Sequence, residues 1–168
     1  MNESDLIARA AGGDAAAFGV LVRQNQSPLR GFLRRLTRTD HALADDLAQE
    51  TFLEAWRKLS QYRGEGSFTG WLTRIAWSRF LMEARKRKPE LMEDLPEQSI
   101  ETSPDVALDL ESAMRRISAA ERAALTLCYA LGHSNEEAAA ILEMPLGTVK
   151  SHILRGREKL RALLEGGS

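Results

Sequence analysis

Aromatic and cationic side chains alternate along residues 62–88, where two glycines break a loop that precedes an apolar helix. Bases stack on aromatic rings and phosphates are attracted to positive charge, so this composition is typical of a surface that binds a single nucleic-acid strand. Tyr62 and Phe68 also suit a hydrophobic core, and the sequence leaves both roles open for them. The residues predicted to contact the nucleic-acid strand are Tyr62, Arg63, Ser67, Phe68, Trp71, Arg74, Ser78, Arg85 and Lys86.

A second group of polar side chains lies on the last predicted helix. A short helix ends near Leu142, and the turn formed by residues 143–145 leads into a helix whose apolar stripe includes Val149 and Ile153. Two helices joined by so short a turn predict a helix-turn-helix, which places its second helix in the major groove of duplex DNA. The side chains predicted to face that groove are Thr148, Lys150, Ser151, His152 and Arg155.

The helix predicted to begin after Asp40 carries a third candidate surface. Ala44, Ala48, Ala55 and other apolar residues recur at helical spacing and predict a stripe that faces the core. The neighbouring face mixes carboxylates and an amide with two large apolar side chains, which suits a protein partner, although a solvated face with its tryptophan folded inward is the alternative. The residues of this face are Asp45, Asp46, Gln49, Glu50, Leu53 and Trp56.

Capping signals and helical periodicity predict an all-α protein of two small domains. Ser4 and Asp14 are predicted to cap the first two helices, and Pro28 is predicted to bend the second near residues 25–27. Ser118 and Ser134 each precede a glutamate by three residues, which is the pattern of a capping box. We predict a helical domain over residues 1–88, an acidic flexible linker over residues 89–108 and a helix-turn-helix domain over residues 109–168.

A net charge of −1 conceals a strong asymmetry along the chain. Residues 1–88 carry +5, residues 89–114 carry −8 and residues 115–168 carry +2. Such asymmetry favours nucleic acid or a charged protein as the partner, and the acidic stretch suggests a segment that imitates nucleic acid in a basic channel. Cys128 is the only cysteine, which excludes an internal disulfide and fits a reducing cytoplasm.

Several classes of protein do not fit the sequence. The longest apolar runs are far shorter than the roughly 20 residues that a membrane-spanning helix needs, so no membrane insertion is expected. The chain has no glycine-rich phosphate loop, no histidine set at metal-ligand spacing and no carboxylate pair on an apolar face. We therefore expect no enzymatic activity, no metal and no cofactor.

Three segments together resemble the extracytoplasmic-function (group IV) sigma factors of the bacterial sigma-70 family. Residues 46–56, with the sequence DLAQETFLEAW, resemble the region 2.2 helix, and residues 68–76, FTGWLTRIA, resemble the segment that opens and reads the minus-10 element. Residues 145–152, PLGTVKSH, resemble the region 4.2 helix that enters the minus-35 major groove. The segments occur in the family's order, and the resemblance covers nearly the whole chain.

The resemblance implies a promoter-specific transcription initiation factor that works on core RNA polymerase. It implies that the face around Gln49 and Trp56 docks on the β′ clamp helices, that the second domain meets the β flap, and that an anti-sigma factor controls the protein. The chain departs from the family at Ser78, where asparagine is usual, and at residues 82–83. It departs again at Glu143, His152 and Gly156, where glycine, arginine and alanine are usual.

Two other functions remain open from the residues. An autonomous helix-turn-helix regulator would bind duplex DNA without polymerase, and its first domain would serve dimerisation or ligand sensing. A protein-interaction module would show no salt-dependent DNA binding.

Overall fold

The computed structural model describes residues 1–38, 40–87 and 110–166, and the chain divides into two compact units, Met1–Leu81 and Met82–Ser168. All regular secondary structure in the described residues is helical, which confirms the predicted all-α class. Within the same residues, no helix combines the length and the hydropathy that crossing a membrane requires. The predicted linker, residues 89–108, lies outside the described residues, so the domain boundaries remain predictions.

Four α-helices and one 3₁₀ turn follow the N-terminus. The turn, Leu59–Gln61, extends the third helix, and the fourth helix continues past the end of the first unit. The helices are α1 (Glu3–Ala11), α2 (Ala15–Leu36), α3 (His41–Lys58) and α4 (Phe68–Lys86).

Side-chain caps set where these helices begin. The Asp14 carboxylate accepts a hydrogen bond from the Ala17 amide at 3.1 Å, and Asp40 accepts one from Leu43 at 3.0 Å, so both predicted caps are confirmed. The predicted Ser4 cap is wrong, because the Asn2 side chain caps α1 from two residues earlier. α2 continues through Pro28 as a helix.

The core of the first unit joins all four helices. Leu6 of α1, Leu21 of α2, Ala55 of α3 and Leu72 of α4 belong to one buried cluster. A buried polar contact lies beside it, where Asn25 accepts a hydrogen bond from the Thr69 hydroxyl at 2.7 Å. This contact ties α2 to the beginning of α4, the segment predicted to bind a DNA strand.

The second unit holds the helix-turn-helix. A π-helical turn, Thr126–Ala130, follows its second helix, and Gly132, with φ of 75°, ends that turn. The described part of this unit begins with a short helix, α5, at Leu110. The helices are α5 (Leu110–Met114), α6 (Ala119–Leu125), α7 (Asn135–Leu142) and α8 (Leu146–Gly166).

Both predicted capping boxes are present in the second unit. Ser118 and Glu121 exchange hydrogen bonds at the start of α6, and Ser134 and Glu137 do so at the start of α7. After α7, Glu143 adopts a left-handed conformation with φ of 54° and ψ of 47°. Glycine adopts this conformation without steric cost, which explains why glycine is usual at this position in the family that the chain resembles.

Candidate functional site

The predicted protein-binding face of α3 is exposed. Leu53 is 57% exposed and Trp56 is 37% exposed, beside exposed Asp46, Gln49 and Glu50. Single exposed apolar side chains are common, but Leu53 and Trp56 are three residues apart on α3 and form an exposed apolar pair among polar side chains. An apolar patch with a polar rim is suited to a partner protein.

Trp56 is held from behind rather than folded into the core. Its ring lies 4.9 Å from that of Phe18, measured between centroids, at an interplanar angle of 55°. Phe18 is half-buried on α2 and packs on the core of the first unit. Phe18 was not among the predicted site residues, and its only sequence signal was an aromatic side chain on a predicted helix.

Asp45 is in a different position from the rest of that face. It is half-buried, and its carboxylate lies 3.0 Å from Nη1 of Arg30 on α2. Asp45 therefore already contributes a contact between helices within the first unit, whereas Asp46 projects from the exposed side of α3.

An ionic network that the sequence analysis missed fixes α3 against α4. The two oxygens of Glu54 accept from Arg79 at 2.6 Å and from Lys58 at 2.7 Å. Burial by itself would raise the pKa of Glu54, but the hydrogen bonds from Lys58 and Arg79 outweigh it and the pKa is lowered. The carboxylate of Glu54 thus stays ionised between α3 and α4.

The structure brings together the three aromatic rings of the predicted strand-binding segment. Ring centroids of Tyr62, Phe68 and Trp71 lie 5.3 to 5.7 Å apart. Phe68 is 1% exposed and belongs to the core, so of the two roles that the sequence left open for it the structure favours the core, and its ring supports the other two. Tyr62 and Trp71 are half-buried and partly accessible to solvent.

The loop that carries these rings is held by local hydrogen bonds. The Tyr62 hydroxyl donates to the Gly66 carbonyl at 3.1 Å, and burial together with the charge of Glu3 raises the pKa of that hydroxyl, which keeps it protonated. Ser67 accepts from the Gly70 amide at 2.9 Å and so caps α4. Gly64 and Gly66 have φ of 77° and 76°, the left-handed conformation that glycine tolerates.

The polar members of the strand-binding set are exposed. Arg74, Ser78 and Arg85 are spaced by four and seven residues on α4, so they share one side of the helix. The remaining exposed members are Arg63, Ser67 and Lys86. This segment therefore combines two partly accessible aromatic rings with four exposed cations, a composition suited to a single nucleic-acid strand.

The helix-turn-helix presents its second helix, α8, as predicted. Val149 and Gly156 are buried on the inner side of α8. On the outer side Arg155 lies over the preceding turn, where its Nη2 is 3.4 Å from Nδ1 of His152. The exposed members of the predicted set are Thr148, Lys150, Ser151 and Arg155.

His152 is half-buried and uncharged at neutral pH. Burial lowers its pKa most, the nearby charge of Arg155 lowers it further, and among the smaller influences Glu121 acts to raise it and Lys159 to lower it. Because a guanidinium only donates hydrogen bonds, Nδ1 of the ring is the acceptor, which leaves Nε2 as the donor. His152 can therefore offer one donor to a base edge.

The fold and these surfaces define a helical DNA-binding protein that joins a helix-turn-helix to a unit suited to one unpaired strand and one protein partner. The family models agree with this architecture: Sigma-70 region 2 matches residues 21–90, and Sigma-70, region 4 matches residues 107–160. The chain belongs to the ECF RNA polymerase sigma factors.

Individual relatives extend over most of the chain. ECF RNA polymerase sigma factor SigE of Mycolicibacterium smegmatis is 38% identical over 167 residues, covering 90% of this chain and 64% of that protein. The RNA polymerase sigma-H factor of Pseudomonas aeruginosa is 34% identical over 182 residues, covering 97% of this chain and 94% of that protein. The sigma factor RpoE from Bartonella quintana, solved in complex with the anti-sigma factor NepR, matches with a TM-score of 0.71 and 32% identity, covering 88% of this chain and 96% of that one.

Proposed function

We propose that this sigma factor binds core RNA polymerase through the exposed face of α3 and directs it to promoters through α4 and α8. The observation that carries the proposal is the α3 face itself, where Leu53 and Trp56 remain exposed among polar side chains. An autonomous DNA-binding regulator would use such a surface for dimerisation instead, and the two assays below separate these uses. We assign it to the β′ clamp helices of the polymerase, with Asp46, Gln49 and Glu50 as the polar contacts around the apolar pair.

The α4 segment is proposed to hold the unpaired non-template strand of the minus-10 element. Tyr62 and Trp71 are the half-buried rings proposed to stack on bases, Phe68 packs against them from the core, and the cations along α4 attract the phosphates. Capturing a base in this way needs no covalent chemistry, only binding that exceeds an unstacking cost of a few kcal/mol. No cofactor is required for this step.

The α8 helix is proposed to read the minus-35 element in the major groove. Thr148, Ser151, His152 and Arg155 share one side of α8, at spacings of three, four and seven residues, and supply polar groups and one positive charge to the groove. Lys150 is exposed on another side of α8, where its charge attracts the DNA backbone. A neutral His152 whose Nε2 donates would suit a base-edge acceptor such as a purine N7. This assignment agrees with the proposed division into a first domain of residues 1–88 and a second of residues 109–168.

Two further partners belong to the proposal. The RpoE protein from Bartonella quintana was solved with the anti-sigma factor NepR, and we propose that an anti-sigma factor also binds this chain. The β flap of the polymerase is the proposed contact of the second domain. Because these partners act where transcription occurs, the protein is proposed to work in the cytoplasm, as a regulatory factor rather than an enzyme.

A run-off transcription assay tests the α3 assignment. The template is a duplex library randomised through both the minus-10 and minus-35 elements, transcribed by core polymerase with the full-length chain, and the transcribed templates are sequenced. We expect the wild type to transcribe from a defined promoter class. The double variant Gln49→Ala plus Trp56→Ala should lower the amount of transcript roughly tenfold or more, since an aromatic side chain that becomes buried on binding often dominates an interface. Gln24→Ala, at an exposed glutamine on α2, is the control and should transcribe normally.

Binding of the protein alone separates this proposal from an autonomous regulator. The selected promoter should be bound tightly only when core polymerase is present. The α3 assignment would be contradicted if the protein alone gave a footprint of equal strength and the Gln49→Ala plus Trp56→Ala variant transcribed as well as the wild type.

A further inference from the structure

The α8 helix lies unusually close to α6 at Gly156. A Cβ atom added to this glycine would lie 2.8 Å from Cδ1 of Leu125 and 3.4 Å from Cβ of Glu121. Real side chains essentially never approach as closely as 2.8 Å, so an added methyl group would force Leu125 to move. Because Gly156 has no side chain, the backbone of α8 packs directly against the side chain of Leu125 on α6.

An ion pair lies one helical turn further along the same side of α8. Nζ of Lys159 donates to both oxygens of Glu121, at 2.9 Å and 3.1 Å. The Glu121 side chain is only 3% exposed, while that of Lys159 is half-exposed. Oε1 of Glu121 also accepts from the Ser118 amide at 3.0 Å, so one carboxylate both caps α6 and holds α8.

The ionisation of this pair follows from its contacts. Burial by itself would raise the pKa of Glu121, but the hydrogen bond from Lys159 and those of the capping box outweigh burial and lower it. Glu121 is consequently ionised at neutral pH. Its neighbour Arg122 is also buried and donates to the Ile117 carbonyl, which fixes the start of α6 from within.

The pair is close to the side chains proposed to read DNA. Arg155 precedes Lys159 by four residues, and His152 precedes Gly156 by four, so both readers lie within one turn of the α6 contact. Side chains that bind or react must be held within roughly 0.5 Å and 10 to 20° of their productive geometry, usually by supporting contacts of this kind. A rotation of α8 on α6 would move every base-reading side chain at once.

We propose that Glu121 and Lys159 are positioning residues for minus-35 reading, because their ion pair fixes the rotation of α8 on α6. Lys159 uses its charge inside the protein and does not serve as a phosphate contact. This inference rests on the proposed function of α8. It assigns a role to two residues that are not themselves proposed to contact DNA.

Electrostatics and positioning predict opposite results for one substitution. Glu121→Gln removes a negative charge from the DNA-binding unit and frees a lysine, so charge alone would tighten promoter binding. Glutamine keeps the acceptor that a capping box needs, so the start of α6 survives. If the pair positions α8, binding to the selected promoter weakens instead.

The experiment measures promoter affinity with core polymerase on two duplexes, the promoter selected above and the same promoter with a scrambled minus-35 element. With Glu121→Gln we expect the selected promoter to bind roughly fivefold more weakly, the change typical of residues in one hydrogen-bonded network, and the preference for it over the scrambled duplex to shrink. Lys159→Met should also shrink that preference while leaving the capping box intact. Glu158→Gln removes the same charge at an exposed neighbouring position and should leave the preference unchanged.

Each result decides the inference. Equal or tighter binding by Glu121→Gln with an undiminished preference would overturn the positioning role. If far-UV ellipticity shows that Glu121→Gln does not fold, the test rests on Lys159→Met. An equal loss of affinity for both duplexes would identify Lys159 as a phosphate contact and overturn the inference. A wild-type protein that shows no preference between the duplexes would overturn the proposed function of α8 and this inference with it, whereas failure of the inference alone leaves the wild-type preference in place.

Discussion

Replacing Phe68 with leucine should destabilise the first unit while retaining every exposed group that is proposed to contact DNA. The Phe68 ring is 1% exposed and contacts two other rings, with centroids 5.5 Å from Tyr62 and 5.7 Å from Trp71. Aromatic pairs of this geometry contribute about 0.5 to 1.5 kcal/mol each beyond burial, so losing both costs about 1 to 3 kcal/mol of unfolding free energy. For a unit of this size, that corresponds to a fall in melting temperature of about 4 to 8 °C per kcal/mol.

The distribution of tryptophan makes the measurement specific to the first unit. Trp56, Trp71 and Trp77 are the only tryptophans, and all three precede residue 82. Urea unfolding of the full-length chain followed by tryptophan fluorescence therefore reports the first unit, even if the second unfolds separately. We expect a lower midpoint for Phe68→Leu with an unchanged slope, which indicates a loss of stability rather than a change of the unfolded state.

Leu53→Ala provides the matched control for this prediction. Leu53 is 57% exposed, so its truncation should change stability by less than about 0.5 kcal/mol. A core role for Phe68 is refuted if Phe68→Leu unfolds at the wild-type urea midpoint but fails to form open promoter complexes. That combination would mean that the ring leaves the core and stacks on DNA.

Two further predictions concern the second unit. Glu143→Gly should raise the unfolding free energy of the second unit by about 0.5 to 1 kcal/mol, because glycine tolerates the left-handed conformation at residue 143. The greater flexibility of glycine in the unfolded chain offsets only part of this gain. Thermal unfolding followed by far-UV ellipticity measures the change, and a lower melting temperature would contradict the prediction. The lowered pKa of Glu121 means that its ion pair stabilises the unit fully above pH 4.5, the ordinary value of the group, and that the stabilisation is lost as the pH falls through the lowered value. Urea midpoints from far-UV ellipticity should therefore fall below that pH in the wild type and fall less in Lys159→Met, and an identical acid dependence in both proteins would show that the pair is not the cause.

Local signals predicted the helices well because their causes lie within a few residues. An N-cap or a capping box is a contact between residues three apart, and Asp14, Asp40, Ser118 and Ser134 all form the predicted bonds. The error at α1 has the same local scale, since Asn2 and Ser4 are both good caps and only the backbone decides between them. The left-handed Glu143 was signalled only indirectly, as a glutamate where the family has glycine.

Contacts between distant residues could not be predicted from the pattern. Glu54 meets Arg79 across 25 residues and Glu121 meets Lys159 across 38, and no periodicity specifies which of many charged residues will pair. The burial of Phe68 has the same origin. An aromatic residue at the boundary of a loop and a helix suits the core and the surface equally well until the packing of α1 and α3 is known.

The predicted contact residues divide into those available to a partner and those already engaged in the fold. Asp45 pairs with Arg30, Ser67 caps α4 and Phe68 fills the core, whereas Gln49 and Leu53 are exposed. Loss of transcription on mutating an engaged residue has two explanations, a lost contact or a displaced helix, and activity alone does not separate them. The two groups are separated by measuring the tryptophan-detected midpoint beside activity, because substitutions at exposed contacts should lower activity at constant stability. Substitutions at engaged residues should lower both together, which makes the exposed α3 face the most direct test of how this sigma factor meets the polymerase.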